Sequence, residues 1–190
     1  MTLAHYNLAD LAIQAASCRA CGLAKGRTQV VFGAGAPDAD VVFVGEAPGA
    51  REDECGVPFV GRSGQLLDRL LDEELGVERA DVYIANVVKC RPPDNRDPRS
   101  EEIAACRPYL TCQLDLVNPT VIITLGNFAS RLLLGTTTGI TKLRGSQYQY
   151  GDPLRHLVPT FHPAAALRGG AGVLANMRAD FGRARELIAS

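Results

Sequence analysis

The sequence predicts an α/β protein: a three-layer α/β/α sandwich around a mainly parallel four-stranded sheet. Two observations support this prediction. Short apolar runs rich in Val and Ile alternate along the chain with stretches whose leucines have helical spacing, and this alternation is typical of parallel sheets with helices on both faces. The apolar runs are also followed by glycine or by polar loops, as buried parallel strands commonly are.

The first half of the chain contains two predicted helices and two predicted strands. Residues 5–16 are amphipathic and end before a cysteine pair, so we expect a short helix there. The β-branched run V-V-F-V-G at 41–45 stops at a Gly/Pro loop and predicts the first strand. Leucines at helical spacing predict a helix over 64–75, and the apolar segment 82–88 predicts the second strand.

The second half continues the alternation. The sequence S-E-E-I at Ser100 supplies an N-cap followed by acids in the first turn, where the helix dipole favours them, and therefore predicts a helix. Apolar runs at 120–125 and 157–161 predict the third and fourth strands. Helices are expected over 127–134 and 176–188.

Composition fits one globular domain covering residues 1–190. Apolar residues make up 46% of the chain and charged residues 22%, which is ordinary for a soluble protein. A net charge of −1 argues against a strongly basic nucleic-acid coat, although not against a local basic patch. No apolar run approaches the length of a membrane span, and no secretory signal is visible at the N-terminus. We expect a monomeric protein of the cytoplasm.

Four of the six cysteines fall into two pairs that are able to converge on one metal site: Cys18, Cys21, Cys90 and Cys106. The first pair forms C-R-A-C, and the second flanks a segment rich in Pro, Arg and Asp. Four thiolates suit either a tetrahedral zinc ion or a four-iron, four-sulfur cluster, and spacing alone does not separate the two. The other two cysteines, Cys55 and Cys112, are outside these pairs and are expected to be ordinary thiols.

Unusual residues follow each of the four predicted strands. The segments are G-E-A-P-G, N-V-V-K-C, L-G-N and F-H-P-A-A-A-L-R, in chain order. Ligands of parallel α/β folds bind beyond the carboxyl ends of the strands. The four segments therefore predict one site at that edge of the sheet.

Three of these segments resemble motifs of the family-four uracil-DNA glycosylases, the iron–sulfur branch of that superfamily. They are G-E-A-P-G-A-R-E-D-E-C-G-V-P-F-V-G-R-S-G-Q-L-L (45–67), N-V-V-K-C-R-P-P-D-N-R-D-P (86–98) and H-P-A-A-A-L-R (162–168). The four paired cysteines match the cluster ligands of that family in order. The resemblance implies hydrolysis of the N-glycosidic bond of uracil in single- or double-stranded DNA, and a 4Fe-4S cluster rather than zinc. A neighbouring branch captures DNA covalently through a histidine near K-R-R-I-H, but this chain has no histidine there, so hydrolysis is expected.

A pocket for a flipped uracil needs a stacking wall and a polar group that recognises the base. Phe59 resembles the stacking aromatic of the family, the alternative being an ordinary core phenylalanine. Asn86, at the end of the second strand, is able to accept from uracil N3–H and donate to O4. Cytosine presents the reversed pattern and would leave buried polar groups unpaired. The alternative for Asn86 is that it caps the following loop.

Bond cleavage puts negative charge on the uracil ring and positive charge on the sugar. By resemblance, His162 bonds to uracil O2 and stabilises the leaving anion, while backbone amides of the loop that starts at Gly45 help to hold the pyrimidine. Better-known uracil glycosylases have an aspartate where this chain has Ala47, so Glu46 is the nearest acid to position the water. Glu52 is a second candidate, either for catalysis or as a barrier against the thymine methyl group; both acids have the alternative of being solvated loop residues.

Contacts with DNA are expected from two segments. A basic patch lies between residues 89 and 107, with Lys89, Arg91, Arg96, Arg99 and Arg107, and from it we predict phosphate contacts by Arg91 and Arg96. Leu167 and Arg168, in an expected loop after His162, are candidates for the wedge that fills the duplex and for a minor-groove contact. The alternatives are solvated arginines and a leucine packed in the core.

Three other functions explain part of the sequence. An iron–sulfur electron-transfer protein accounts for the cysteines but leaves Phe59, Asn86 and the H-P segment unused. A metal-stabilised nucleic-acid-binding protein without catalysis leaves Glu46 and His162 unused. The fragment G-A-G-A-P at 33–37 suggests dinucleotide binding, but it precedes a strand and lacks the full fingerprint.

Overall fold

The structure, a computed structural model, describes residues 7–189. Within that range the central sheet has six strands in the order β1-β3-β2-β4-β6-β5. The inner four strands are parallel, and the outer two pair antiparallel with their neighbours. The predicted fold class is confirmed. The strands are β1 (Ala34–Gly35), β2 (Val41–Gly45), β3 (Tyr83–Asn86), β4 (Val121–Leu125), β5 (Tyr148–Tyr150) and β6 (Arg155–Thr160).

Helices cover both faces of the sheet. They are α1 (Leu8–Ala16), α2 (Ala50–Cys55), α3 (Arg62–Leu70), α4 (Ser100–Val117), α5 (Asn127–Leu134), α6 (Ile140–Leu143), α7 (Pro163–Gly169) and α8 (Ala171–Ile188). A π-helical turn at Leu71–Leu75 extends α3, so the predicted helix over 64–75 corresponds to both. Single 3₁₀ turns occur at Gly22–Lys25, Arg79–Asp81 and Pro93–Asn95.

Alternate residues of each inner strand supply two separate cores. On β2, Val41 and Phe43 pack with leucines of α3 and with Met177 and Phe181 of α8. Val42 and Val44 pack on the opposite face, against residues of α4 and α5. Because successive strand residues point to opposite faces, an all-apolar run such as V-V-F-V serves both layers. Helix α1 packs separately, with Leu11 and Ala15 against Tyr109 of α4.

Two strands were absent from the prediction, which gave four rather than six. The first, β1, is a two-residue strand whose Gly35 has φ 124°. A Cβ at Gly35 would lie 1.7 Å from the carbonyl oxygen of Val82, so this glycine permits close strand pairing. The G-A-G-A-P fragment is therefore an edge strand and not a dinucleotide loop. The other, β5, is three residues long and only partly buried, too short for a clear alternating pattern.

Several helix boundaries also differ from the prediction. Helix α8 begins at Ala171 instead of 176, since Gly170 at its N-cap and Gly172 in its first turn weaken the local signal. Ser100 is the first helical residue rather than the cap; the cap is Arg99, whose backbone N–H donates to Glu102 Oε2 at 2.8 Å. Positions 5 and 6 of the first predicted helix lie outside the described residues. Among residues 7–189, no helix is long and apolar enough to cross a membrane.

Candidate active site

The four parallel strands end side by side at one edge of the sheet. Gly45 of β2 pairs with Asn86 of β3, and Leu125 of β4 pairs with Thr160 of β6. The chains continue together past the strand ends, because the carbonyls of Gly45 and Glu46 accept from the backbone N–H groups of Val87 and Val88 at 2.9 and 3.1 Å. The segments that follow the strands are thus adjacent in space.

Two side chains meet over Gly45 at this edge, and we call the space between them the recess. A Cβ at Gly45 would lie 2.4 Å from Asn86 Oδ1 and 2.6 Å from Cζ of the Phe59 ring. Distances below 3.0 Å are not seen between real Cβ atoms and their neighbours. Only glycine therefore allows the amide of Asn86 and the ring of Phe59 to meet over the β2 backbone.

Phe59 has an unusual backbone conformation that directs its ring into the site. Its φ is 54°, in the left-handed region that phenylalanine rarely adopts. Gly64 of α3 makes room for it, since a Cβ there would lie 1.7 Å from the Phe59 carbonyl oxygen. The ring centroid is 5.5 Å from that of His162, with 31° between the planes. Phe59 is 6% exposed and packs in the core; its stacking on uracil stays a prediction.

Asn86 is 2% exposed, and its side-chain oxygen is a buried acceptor without a hydrogen-bond partner in residues 7–189. Leaving a buried amide oxygen unpaired costs about 1–3 kcal/mol. A loop-capping role would have given this oxygen a backbone donor. Instead, the acceptor lies beside Phe59 at the surface of Gly45 and is suited to a ligand N–H.

His162 lies between β6 and α7 and caps that helix with its own ring. Nδ1 accepts from the backbone N–H of Ala164 at 3.1 Å, which requires a lone pair on Nδ1 and leaves the proton of the neutral ring on Nε2. Burial, and secondarily the charge of Arg168, lowers the pKa of His162 to about 4. The ring is therefore a neutral Nε2–H donor at physiological pH.

Glu46 follows the end of β2 and is half-buried. Burial raises the pKa of its carboxyl group to about 7, and the negative charge of Asp97 adds to the increase. A carboxyl group whose pKa lies near neutrality in a polar recess is a candidate for acid–base or electrostatic chemistry. Asp97, from the segment after β3, had no signal in the sequence that linked it to Glu46.

Glu52, in the first turn of α2, makes three hydrogen bonds to backbone N–H groups. Its carboxylate accepts from Gly49 at 3.1 Å, from Val60 at 3.0 Å and from Gly61 at 3.2 Å. These contacts join the loop after β2 to the loop that carries Phe59. The predicted catalytic role of Glu52 stays a prediction, and the structure adds a bracing role.

The basic patch between residues 89 and 107 is only partly available to a ligand. Lys89 is 2% exposed, so its predicted place on the surface is wrong. Arg96 forms a two-pronged ion pair with Glu102 of α4, at 2.9 and 2.6 Å, and this pairing lowers the pKa of Glu102 to about 2. Arg91 donates to Asn95 Oδ1 at 2.8 Å. Phosphate contacts by Arg91 and Arg96 stay predictions.

Leu167 and Arg168 lie on helix α7 and not in a loop as predicted. The Pro163 and Ala164 backbone enters a helix directly after His162, whose ring supplies the cap. Leu167 is 43% exposed, so the alternative of core packing is wrong. Arg168 is exposed in the last turn. Arg168 is close enough to His162 for its charge to contribute to the lowered pKa of that ring.

The four paired cysteines line one shared cavity, together with Arg27, Lys89 and Tyr109. Two N–H groups already point at sulfur atoms there: Arg27 donates to Cys90 Sγ, and the backbone of Lys89 donates to Cys106 Sγ, each at 3.3 Å. Such bonds favour thiolates and are common around metal–sulfur groups. Within the described residues, no group of three or more His, Cys, Asp or Glu side chains has the geometry to hold a metal ion.

Comparisons with known proteins agree on one family. The model of the uracil DNA glycosylase superfamily matches residues 32–184. The chain is 49% identical to the type-4 uracil-DNA glycosylase of Thermotoga maritima, over 83% of this chain and 81% of the relative. Type-4 uracil-DNA glycosylases of Sulfurisphaera tokodaii and Saccharolobus solfataricus are 45% and 44% identical, over 90% and 97% of this chain and 80% and 88% of the relatives. The chain belongs to the uracil-DNA glycosylase superfamily.

Proposed function

We propose that this protein is a monofunctional uracil-DNA glycosylase of the type-4 group, acting in DNA repair. It takes uracil flipped out of DNA and hydrolyses the N-glycosidic bond, leaving an abasic site. The observation that carries this proposal is the unpaired, buried Asn86 Oδ1 above Gly45 and beside Phe59. The names of the relatives support it.

Uracil is recognised in this proposal by shape and hydrogen bonding together. Phe59 stacks on the ring, and Asn86 Oδ1 accepts from N3–H while Nδ2 donates to O4. Cytosine has an acceptor at N3 and a donor at C4, so its acceptor would face the acceptor Asn86 Oδ1 and its donor would face the donor Nδ2. Every unpaired buried group costs about 1–3 kcal/mol, which is enough for strong discrimination between the two bases.

His162 stabilises the departing base. The negative charge that develops on uracil spreads to O2, and a neutral Nε2–H donor fixed by its Nδ1 contact with Ala164 is preorganised for that oxygen. Because the ring is capped in place before the substrate binds, no reorganisation is needed during the reaction. A neutral donor also leaves the proton on histidine, so uracil departs as an anion.

Glu46 positions the attacking water and stabilises the positive charge on the sugar. This role needs the carboxylate form, and with a pKa raised to about 7 about half of the molecules carry it at neutral pH. Glu52 supports the site by holding together the two loops that its carboxylate contacts. DNA contacts come from Arg91, Arg96 and Arg168, with Leu167 as the wedge, since it is an exposed apolar side chain on the helix that His162 caps.

A 4Fe-4S cluster held by Cys18, Cys21, Cys90 and Cys106 is the cofactor that we propose. Support comes from the order of the four cysteines, from the shared cavity and from the two N–H···S contacts in it. When bound, the cluster supplies metal–thiolate bonds that join the segment after α1 to β3 and α4. We further propose a monomer located in the cytoplasm.

The test is incubation with single- and double-stranded oligonucleotides that contain one uracil, followed by alkali cleavage of abasic sites. We expect strand scission at uracil without any added nucleotide cofactor, and no scission at cytosine or thymine in the same position. Absence of scission by cluster-loaded protein would reject the glycosylase in favour of a binding or electron-transfer protein.

A further inference from the structure

Lys89 is fully buried, although packing alone does not require a lysine at this position. It is 2% exposed and is among the largest fully buried side chains of the described chain. Burying an ammonium group is unfavourable by several kcal/mol unless hydrogen bonds and opposite charge compensate for it. An apolar residue of similar size would fill the same space without that penalty.

The hydrogen bonds of Lys89 reach the end of β3, the cysteine site and the backbone at Val31. Towards the sheet, its Nζ donates to the backbone carbonyl of Asn86 at 2.8 Å, across a turn of three residues. Towards the cysteines, its backbone N–H donates to Cys106 Sγ at 3.3 Å, and Lys89 is one of the residues that line the cavity shared by the four cysteines. Its own carbonyl accepts from Val31 at 2.8 Å, which fixes the backbone from a third side.

We propose that Lys89 is a positioning residue that links the cysteine site to uracil recognition. This inference rests on the proposed function, in which Asn86 contacts the base. The ammonium holds the carbonyl of Asn86 at the point where β3 ends, and so sets the height of the Asn86 side chain above Gly45. If the cluster is bound, the thiolates of the cysteine site would supply negative charge that favours the buried ammonium.

Two features of the site make the position of Asn86 sensitive to this contact. Asn86 is the last residue of β3, and the side-chain Nζ of Lys89 holds its carbonyl at 2.8 Å. Its Oδ1 also has little space, since the Gly45 backbone and the Phe59 ring are both close. A displacement of a few tenths of an ångström there lengthens the hydrogen bond to uracil N3–H.

The first test is Lys89→Met, which keeps the length of the side chain and removes its charge. Lys142→Met, at an exposed lysine of α6, is the matched control. Binding of free uracil to the cluster-loaded proteins is measured by calorimetry. We expect about tenfold weaker binding for Lys89→Met, the loss typical of one hydrogen bond to a charged group, and wild-type binding for Lys142→Met. Wild-type affinity in Lys89→Met would overturn the inference.

A double-mutant cycle with Asn86→Ala distinguishes positioning from general loosening. If Lys89 acts through Asn86, its replacement has no further effect on uracil binding once Asn86 is alanine. Additive losses would contradict this role. Should Lys89→Met not fold, Lys89→Gln takes its place in the same cycle. Equal uracil affinity of wild type and Asn86→Ala would instead show that the proposed pocket itself is wrong.

The cluster provides a readout that does not involve the base. Removing a positive charge beside a cluster stabilises its oxidised form, because the reduced form carries more negative charge. The midpoint potential of Lys89→Met is therefore expected below that of wild type, with iron content unchanged. An unchanged potential would contradict the proposed effect of the Lys89 charge on the cysteine site.

Discussion

Gly45 controls how closely two side chains of the pocket approach each other. Asn86 Oδ1 and the Phe59 ring both occupy the space that a Cβ at this position would take. Phe59 in turn needs Gly64, which accommodates its left-handed backbone. At the scale of single residues, the pocket thus depends on the absence of a Cβ atom at Gly45 and Gly64.

Gly45→Ala tests this dependence. The added methyl group must displace both the amide and the ring by about 1 Å, and misplacement of that size commonly lowers rates about 100-fold. We expect kcat/KM for a uracil oligonucleotide to fall at least about 100-fold. The control is Gly182→Ala on α8, where a Cβ meets nothing within 4 Å; its activity should equal wild type. Full activity of Gly45→Ala would mean that the recess is not the base pocket.

The two titratable groups of the site have pKa values displaced in opposite directions by burial. That of Glu46 is raised to about 7, and that of His162 is lowered to about 4. Between these values the histidine is already neutral and the carboxyl group is still partly protonated. The pH dependence of activity near neutrality is therefore assigned to Glu46.

If the carboxylate is the active form, kcat/KM should fall with decreasing pH below about 7 and level off above it. Glu46→Gln should abolish this dependence and lower the single-turnover rate more than DNA affinity. The measurement is single-turnover cleavage from pH 5 to 9 together with DNA binding at each pH. An inflection that survives in Glu46→Gln would assign it to another group, and equal losses of rate and affinity would reject the catalytic role.

At the scale of elements, Glu52 of α2 joins the loop before this helix to the loop that carries Phe59. Its three acceptor contacts reach the backbone on either side of the α2 segment. Hydrogen bonds to a charged group contribute about 1.5–3 kcal/mol each when their partners are otherwise unpaired. Much of the loop geometry around Phe59 is therefore linked to one carboxylate.

Glu52→Gln should lower the free energy of unfolding by about 2–3 kcal/mol, because an amide oxygen replaces only part of these contacts. Activity should fall in parallel, as the Phe59 loop moves. Thermal melts and cleavage rates are compared with those of Glu54→Gln, an exposed acid of the same helix. A large loss of turnover with an unchanged melting temperature would instead support direct catalysis by Glu52.

The elements differ in how well the sequence predicts them. The strand 41–45 and the helix 127–134 match the prediction at both ends, since a buried apolar run and a strong leucine pattern are local signals. The convergence of segments after the strands was also predictable, because parallel strands share an edge. Helix α7 was missed, since its N-terminus depends on the His162 ring as a cap. The Arg96–Glu102 pair could not be predicted, because no sequence rule selects a partner among several arginines.

At the scale of the whole molecule, the four cysteines connect regions distant in the sequence. Cys18 and Cys21 follow α1, Cys90 follows β3, and Cys106 lies on α4. The base pocket is at the strand ends, and in the described chain the contacts of Asn86, Phe59 and His162 include none of these thiols. We therefore assign a structural role to the cysteine site and the chemical role to the pocket.

Cys18→Ala should separate these two functions. Loss of one ligand should remove iron and lower the melting temperature, and DNA affinity should fall more than the single-turnover rate at saturating protein. Cys55→Ala, at an exposed thiol, serves as control and should keep its iron. Iron is determined by elemental analysis and by visible absorption of protein purified without oxygen. Zinc in place of iron in the wild type would refute the cluster.

The central claim, that the recess above Gly45 recognises uracil, is tested most directly by a crystal structure with free uracil bound. We expect the base to stack on Phe59, with its N3 about 3 Å from Asn86 Oδ1 and its O2 at a similar distance from His162 Nε2. Uracil bound elsewhere, or bound here with Asn86 Oδ1 still unpaired, would contradict it.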